Sequence, residues 1–256
     1  MSIPDFSLEG KVAIVTGGKR GIGKAIALAF AEAGADVAVC GRVIEDGELQ
    51  AVAEEIQRLG RRSLAIQADV TKKADVDNLV QRVIDEFGGI DILVNNAAIE
   101  ARVPILELSE DDWDKVINTN LKGSYLCSQA VGKRMVEQRR GNIISMASQL
   151  AFKAWARMGA YCITKAGIVM LTRVLARELG SYGIRANAIA PSTVRTELGR
   201  LTWSDPEALK RVESTIPLGG RVAEDSDVVG AALFLASDAS SYITGHTILV
   251  DAGINA

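Results

Sequence analysis

Tyr161-Cys-Ile-Thr-Lys165 sets a phenol and an ammonium at i and i+4, one above the other on a single helix face. A tyrosine at its ordinary pKa of ~10 exchanges protons poorly near neutrality, and a neighbouring cation corrects this by stabilising the phenolate. Each unit of lowering corresponds to about 1.36 kcal/mol, so two or three units lie within reach of a partly buried partner. Ser148, just upstream, can hold the oxygen whose proton Tyr161 gives or takes. The chemistry on offer is acid/base exchange at an alcohol or carbonyl oxygen. Y-x-x-x-K recurs by chance on helices, and its specificity here comes from the serine before it and a nucleotide-type loop far upstream.

That loop is Lys11 to Gly23. Val12-Ala-Ile-Val15 is apolar on both faces and β-branched at three of four positions, as a buried parallel strand requires. Ile22, Ile26, Ala29, Phe30 and Ala33 then fall at helical spacing and reach a stop at Gly34-Ala35. Gly17, Gly21 and Gly23 therefore stand at a helix N-terminus, where unpaired amides and the dipole favour a phosphate and a missing Cβ lets the backbone approach it. The spacing G-x-x-x-G-x-G departs from both the G-x-G-x-x-G fingerprint and the P-loop. A glycine-rich turn without a ligand is the alternative reading.

In a sheet of this kind ligands lie beyond the carboxyl ends of the strands. After the second strand, where a carboxylate would meet a ribose 2′-hydroxyl, the chain offers Gly41-Arg42 and no acid until Glu45. With Lys19 and Arg20 in the glycine loop, Arg42 suits a further phosphate, and an acid there would repel it. This predicts NADP(H) over NAD(H); solvated surface arginines are the alternative. Asp69, after the third strand, is a helix-leading carboxylate that can cap its own helix.

The remaining composition narrows the field. The chain has 256 residues, 48% hydrophobic and 24% charged, with net charge -3, so a large core is affordable and a basic nucleic-acid surface is absent. No apolar run approaches the ~18 residues of a membrane span and the N-terminus lacks signal-peptide regions, which predicts a cytoplasmic protein with small-molecule partners. Cys40, Cys127 and Cys162 lack metal-ligand spacing and His246 is the single histidine, so neither a metal site nor a histidine-dependent hydrolase is expected.

Strand and helix signals alternate along the whole chain. Strands are predicted at about 12–15, 36–40, 62–67, 91–94, 142–146, 184–190 and 247–250, and helices at about 45–59, 72–87, 109–138, 159–182 and 228–237 besides the one after the glycine loop. Repeated βα units predict an α/β fold, a doubly wound parallel sheet of about seven strands in a single domain spanning 1–256.

With these residues in place, the chain resembles the short-chain dehydrogenase/reductase family over nearly its whole length. The resemblance rests on Thr16-Gly17-Gly18-Lys19-Arg20-Gly21-Ile22-Gly23, Asp69-Val70, Asn95-Asn96-Ala97-Ala98, Asn120, Ser148, Tyr161, Lys165 and Pro191-Ser192-Thr193-Val194-Arg195-Thr196. It implies a Rossmann-fold oxidoreductase in which Tyr161 is the acid/base, Lys165 also binds the nicotinamide ribose, Ser148 orients the substrate oxygen and Asn120 supports a water-linked proton relay. By the same resemblance Asp69 accepts from an adenine amino group, and Ile22, Val70, Asn96, Ala97, Ala98, Pro191, Val194 and Thr196 join the cofactor site. Ala98 and Ser192 stand where the family usually has glycine, which implies altered fit with binding retained. The family also implies a homotetramer of two-fold symmetry.

The substrate is less legible. Residues 195–217 correspond to the family's variable lid and carry Leu198, Leu201 and Trp203, while Glu100, Gln149, Lys153, Trp155 and Arg157 flank the expected site. That amphipathic set, and a resemblance of residues 95–100 and 112–116 to sugar dehydrogenases of the family, points to a sugar or polyol. A 3-oxoacyl or small-ketone substrate is the alternative, and a non-catalytic cofactor-binding module is the competing class.

Overall fold

A computed structural model describes residues 5–256. The chain opens with β1 (Val12–Thr16), α1 (Gly21–Glu32), β2 (Asp36–Gly41), α2 (Glu48–Arg58), β3 (Ser63–Gln67), α3 (Lys73–Phe87) and β4 (Ile92–Asn95). There follow α4 (Glu110–Ile117), α5 (Gly123–Gln138), β5 (Gly141–Met146), α6 (Gly159–Leu179) and β6 (Ile184–Pro191). The chain closes with α7 (Arg200–Trp203), α8 (Pro206–Glu213), α9 (Ser226–Ala236) and β7 (Thr247–Val250). All seven strands are parallel, in the order β3-β2-β1-β4-β5-β6-β7. This is the doubly wound sheet that the alternating pattern predicts.

Strand pleating divides the core. Ala13 and Val15 point to one face, with Val37, Val39, Ile26, Phe30, Leu49 and Leu235, so α1, α2 and α9 cover that side. Val12 and Ile14 point to the other, with Ala38, Leu93, Leu79, Val83 and Val131, beneath α3 and α5. Buried on both faces, the inner strands β1, β2, β4, β5 and β6 read as largely apolar runs, while the edge strands β3 and β7 are only partly buried. The chain reverses its direction of winding between β1 and β4, which opens a crevice above their carboxyl ends.

Three boundaries differ from the sequence expectation. The helix predicted across 109–138 contains a π-turn, Asn118–Lys122, between α4 and α5. Asn120 sits in it, and its side chain is recruited by a neighbouring loop, which is where a helix tolerates a wider turn. The segment 45–47 stays outside α2, because Gly47 turns with φ 75° and Asp46 is drawn to Lys19. The lid contains two short helices that its sequence does not announce; Asp205 caps α8 by accepting from the Glu207 amide, with Pro206 opening the first turn.

Within the continuous helical stretch Gly159–Tyr182 an 18-residue window reaches a mean hydropathy of 1.3, so by length and composition alone it could cross a membrane. It packs against β6 and buries Thr164, Lys165 and Thr172, as a core helix does.

Candidate active site

The carboxyl ends of the strands carry two adjoining cavities. One, of about 630 Å³, is lined by Gly17, Arg20, Gly21, Arg42, Asp69 and Ala97 among others. The second, of about 550 Å³, is lined by Ser148, Gln149, Tyr161, Lys165, Pro191 and Val194 among others. Ile22, Asn96, Ala98, Glu100 and Thr196 line both, so the two form one trench with the acid/base residues at one end and the cationic loop at the other.

Tyr161 and Lys165 occupy the first turns of α6 and are buried to 8% and 4% exposure. The Lys165 Nζ lies 5.4 Å from the Tyr161 ring centroid and donates to the Met146 carbonyl at 2.6 Å. Ser148, at the end of the β5 segment, is also buried and accepts from the Leu150 amide at 3.1 Å. The three side chains that the sequence singles out for acid/base work are therefore brought to one wall.

Their electrostatics differ from the expectation of a lowered phenol. Burial pushes the Tyr161 phenol well up, the Ser148 hydroxyl pulls it down, and the Glu100 carboxylate adds to the rise. Burial also draws the Lys165 ammonium down to about 8. Lys165 thus stays mostly charged at neutrality, and Tyr161 rests as a neutral phenol, the form that can protonate a carbonyl oxygen. Desolvation outweighs the i,i+4 cation, which a sequence cannot reveal.

A stability consequence follows. Lys165 titrates lower in the folded chain than its ordinary 10.5, so the unfolded chain binds more protons between about 8 and 10.5 and stability rises with pH across that window. Below about 8 the full cost of burying the cation is present. Lys165→Met should abolish turnover yet stabilise the protein at pH 7 by about 2 kcal/mol, after subtracting the lost bond to Met146. The gain should fade above pH 10.5, and thermal melts at pH 7 and 10.5 check it; a lower melting temperature for the variant at pH 7 counts against it.

Asn120 lines neither cavity. Its Oδ1 accepts from the Ile99 amide at 2.9 Å, and its Nδ2 donates to the Ile99 carbonyl at 2.9 Å and to Thr164 Oγ1 at 3.2 Å. The Asn120 side chain thus ties the π-turn to the loop after β4 and to α6. Asn96 is likewise occupied, donating to the carbonyls of Thr16 and Gly17 at 2.9 and 3.1 Å. Thr16 Oγ1 completes the latch by accepting from the Asn96 and Ala97 amides at 2.9 and 3.1 Å.

The glycine loop divides its labour. Gly17 and Gly21 have φ of 64° and 53°, which other residues adopt at a cost. A Cβ at Gly23 would stand 2.3 Å from the Gly17 carbonyl oxygen, so this glycine serves the closing of the turn, where the sequence expectation had it serving phosphate approach. The N-terminus of α1 has no side-chain cap and no acid in its first turn, so its amides and dipole are available to an anion. That uncapped terminus, whose Gly21, Ile22 and Gly23 line the cavity of about 630 Å³, fits the pyrophosphate of a nicotinamide cofactor.

Lys19, Arg20 and Arg42 all reach that cleft. Lys19 is committed elsewhere, 2.5 Å from Asp46 and 3.2 Å from Glu48, which a reading of the strand end alone misses. Arg20 and Arg42 are exposed and make no ion pair among the described residues. Asp69 lines the cleft while its Oδ1 accepts from the amide and hydroxyl of Thr71; this is a local turn ahead of α3, whose N-terminus carries no side-chain cap, so the carboxylate does not cap its own helix. Val70 lines the same cleft. Ala98 sits where the two cavities meet, and Ser192 lies in the Tyr161 cavity.

In the lid, Leu198 lines both cavities. Trp203 instead fastens the lid, its Nε1 donating to the Thr196 carbonyl at 2.8 Å. The side chain of Leu201 lies outside the described residues. Of the flanking residues, Glu100, Gln149 and Trp155 line the Tyr161 cavity and Lys153 and Arg157 do not. Arg102, which the sequence reading overlooked, lines it and pairs with Glu100. Its spacing of two from Glu100, on a loop beside the site, was the available signal.

Comparison with known proteins agrees with this geometry. The enoyl-(acyl carrier protein) reductase family profile matches residues 17–255. D-threitol dehydrogenase of Mycolicibacterium smegmatis is 44% identical over 251 residues, covering 97% of this chain and 94% of that protein. The 2-dehydro-3-deoxy-D-gluconate 5-dehydrogenase of Escherichia coli is 41% identical over 254 residues, covering 99% and 98%. The crystal structure of a gluconate 5-dehydrogenase from Burkholderia cenocepacia J2315, in complex with NADP and tartrate, superposes with a TM-score of 0.93 at 34% identity, covering 98% of this chain and 97% of that one. A seven-stranded doubly wound sheet, a glycine loop at an uncapped helix and Ser148, Tyr161 and Lys165 on one cavity wall, matched along nearly the whole chain by these relatives, place the protein in the short-chain dehydrogenase/reductase family of oxidoreductases.

Proposed function

We propose that the protein interconverts a secondary alcohol of a polyol or sugar with the corresponding ketone, using NADP(H) in preference to NAD(H). The observation that carries this reading is the trench itself: the cleft of about 630 Å³ at the glycine loop opens into the cavity where Tyr161, Lys165 and Ser148 meet. The nicotinamide ring, when bound, supplies or accepts the hydride. Ser148 holds the substrate oxygen, Tyr161 gives it a proton in reduction or takes one in oxidation, and the Lys165 ammonium stabilises the phenolate left behind. Asn120 keeps the Lys165-bearing helix in register through Thr164.

Arg20 and Arg42 support the choice of NADP(H), being unpaired guanidinia at the adenosine end of the cleft. The polar wall of the second cavity, with Glu100, Arg102 and Gln149, supports a hydroxylated substrate over the acyl chain of a 3-oxoacyl ester. The relative named for threitol agrees. Three free cysteines suit a reducing, cytoplasmic setting. A panel of polyols, aldonates and ketones with both cofactors, followed by absorbance of the reduced nicotinamide, tests the reading. Turnover of polyols with NADP(H) supports it, and binding without any turnover favours a non-catalytic module.

A homotetramer belongs to the same proposal. Ile163, Met170 and Val174 of α6 and Tyr125 of α5 leave apolar surface exposed, and Tyr242 and Leu249 do so near β7. Light scattering at micromolar concentration should give four times the chain mass; a monomer mass counts against it.

A further inference from the structure

The Tyr161 cavity carries polar groups that proton exchange at a single oxygen does not use. Gln149, next to Ser148, is 5% exposed and lines the cavity, yet its Oε1 has no hydrogen-bond partner. A buried amide left unpaired in a native structure calls for a partner, and the cavity is the direction from which one can come. An amide offers both an acceptor and two donors, so a hydroxyl, which can do either, matches it in either orientation.

The opposite charge pattern is also informative. Glu100 and Arg102 both line the cavity, and the Arg102 guanidinium is bound by the Glu100 carboxylate, with side chains 13% and 30% exposed. A guanidinium is the natural fork for a substrate carboxylate, and here its Nε is held and its charge balanced by Glu100. Arg211 also lines the cavity, but it stands on α8 of the lid and is exposed to solvent. Near the reacting centre the fixed groups are thus an unpaired amide and a self-neutralised ion pair.

We propose that this pocket selects neutral polyols: the Gln149 amide binds a second hydroxyl near the reacting carbon, and Glu100 withholds Arg102 from anionic substrates. The inference rests on the polyol reading above and names its specificity-determining residues. A site built to hydrogen-bond a hydroxyl rejects the analogue lacking it far more strongly than an apolar site rejects an added one.

The test uses the full-length protein with its cofactor and three probes: erythritol or threitol as a neutral tetritol, 2-butanol as an alcohol with no second hydroxyl, and D-gluconate as an aldonate. Wild type should show kcat/KM for the better tetritol at least tenfold above those for 2-butanol and gluconate. Gln149→Leu should lose at least tenfold more on the tetritol than on 2-butanol, chiefly through KM. Glu100→Gln, which frees Arg102, should move the gluconate to tetritol ratio at least tenfold toward gluconate. Because both substrates are measured on one variant at one pH, a change in Tyr161 ionisation cancels from that ratio.

Thermal melts and cofactor Kd establish that each variant is folded, and Gln149→Met replaces Gln149→Leu if the latter is not. Equal losses on tetritol and 2-butanol overturn the role of Gln149. An unmoved gluconate ratio overturns that of Glu100. Turnover of no polyol at all by wild type overturns the substrate reading itself, which separates the two failures.

Discussion

Tyr161→Phe is expected to lower kcat by roughly 10²- to 10⁴-fold while leaving the fold and the cofactor Kd close to wild type, because it deletes the transferable proton and little else. The ring is 8% exposed in the first turns of α6, and phenylalanine fills the same volume. The lost hydroxyl has Ser148 as its neighbour, so no extended buried network collapses with it. Steady-state kinetics on the best substrate, with cofactor binding followed by fluorescence, check the outcome. Retention of more than about a tenth of the wild-type rate, a loss below ~1.4 kcal/mol, would mean that another group handles the proton.

The second large effect lies at the other end of the trench. Gly41→Asp combined with Arg42→Ala should reverse a wild-type preference for NADP(H), since the new acid accepts from a ribose 2′-hydroxyl and repels a phosphate there. A charge-assisted contact is worth about 1.5–3 kcal/mol, so removing one and adding a repulsion should move the ratio of kcat/KM values by roughly 10²- to 10⁴-fold. The structure makes the change tolerable. A Cβ at Gly41 would meet nothing nearer than Leu49 Cδ1 at 3.8 Å, and Gly41 has no positive φ to defend. Equal wild-type values for the two cofactors, or a preference for NAD(H), would remove Arg20 and Arg42 as phosphate ligands. Lys19 keeps its charge, but Asp46 and Glu48 offset its field, so it is expected to contribute less than Arg20 or Arg42.

The contrast between Lys19 and Arg42 shows where local reading ends. Both are cations beside the same glycine loop and both reach the cleft, yet one is paired with Asp46 just before α2 and Glu48 at its start. Lys19 and Asp46 are 27 residues apart, a separation over which no periodicity or motif reports contact. Asn120 makes the same point: only the folded chain shows its side-chain amide tied to Ile99 and Thr164.

Properties set by neighbours along the chain were legible in the residues alone. Apolar runs marked the inner strands of the sheet, because a strand buried on both faces has few other compositions available, and alternation with helices marked the partly buried edges β3 and β7. Glycines at positive φ marked the turn into α1, and Tyr161 with Lys165 shared a helix face by spacing alone. The tertiary structure decided everything that depends on approach through space. It buried Tyr161 and Lys165 far enough that desolvation, not their mutual attraction, governs both pKa values. It opened a π-turn around Asn120, closed Glu100 on Arg102 and left Gln149 without a partner. Periodicity encodes which face a side chain occupies, whereas charge, desolvation and hydrogen-bond satisfaction depend on groups that only folding brings within a few ångströms.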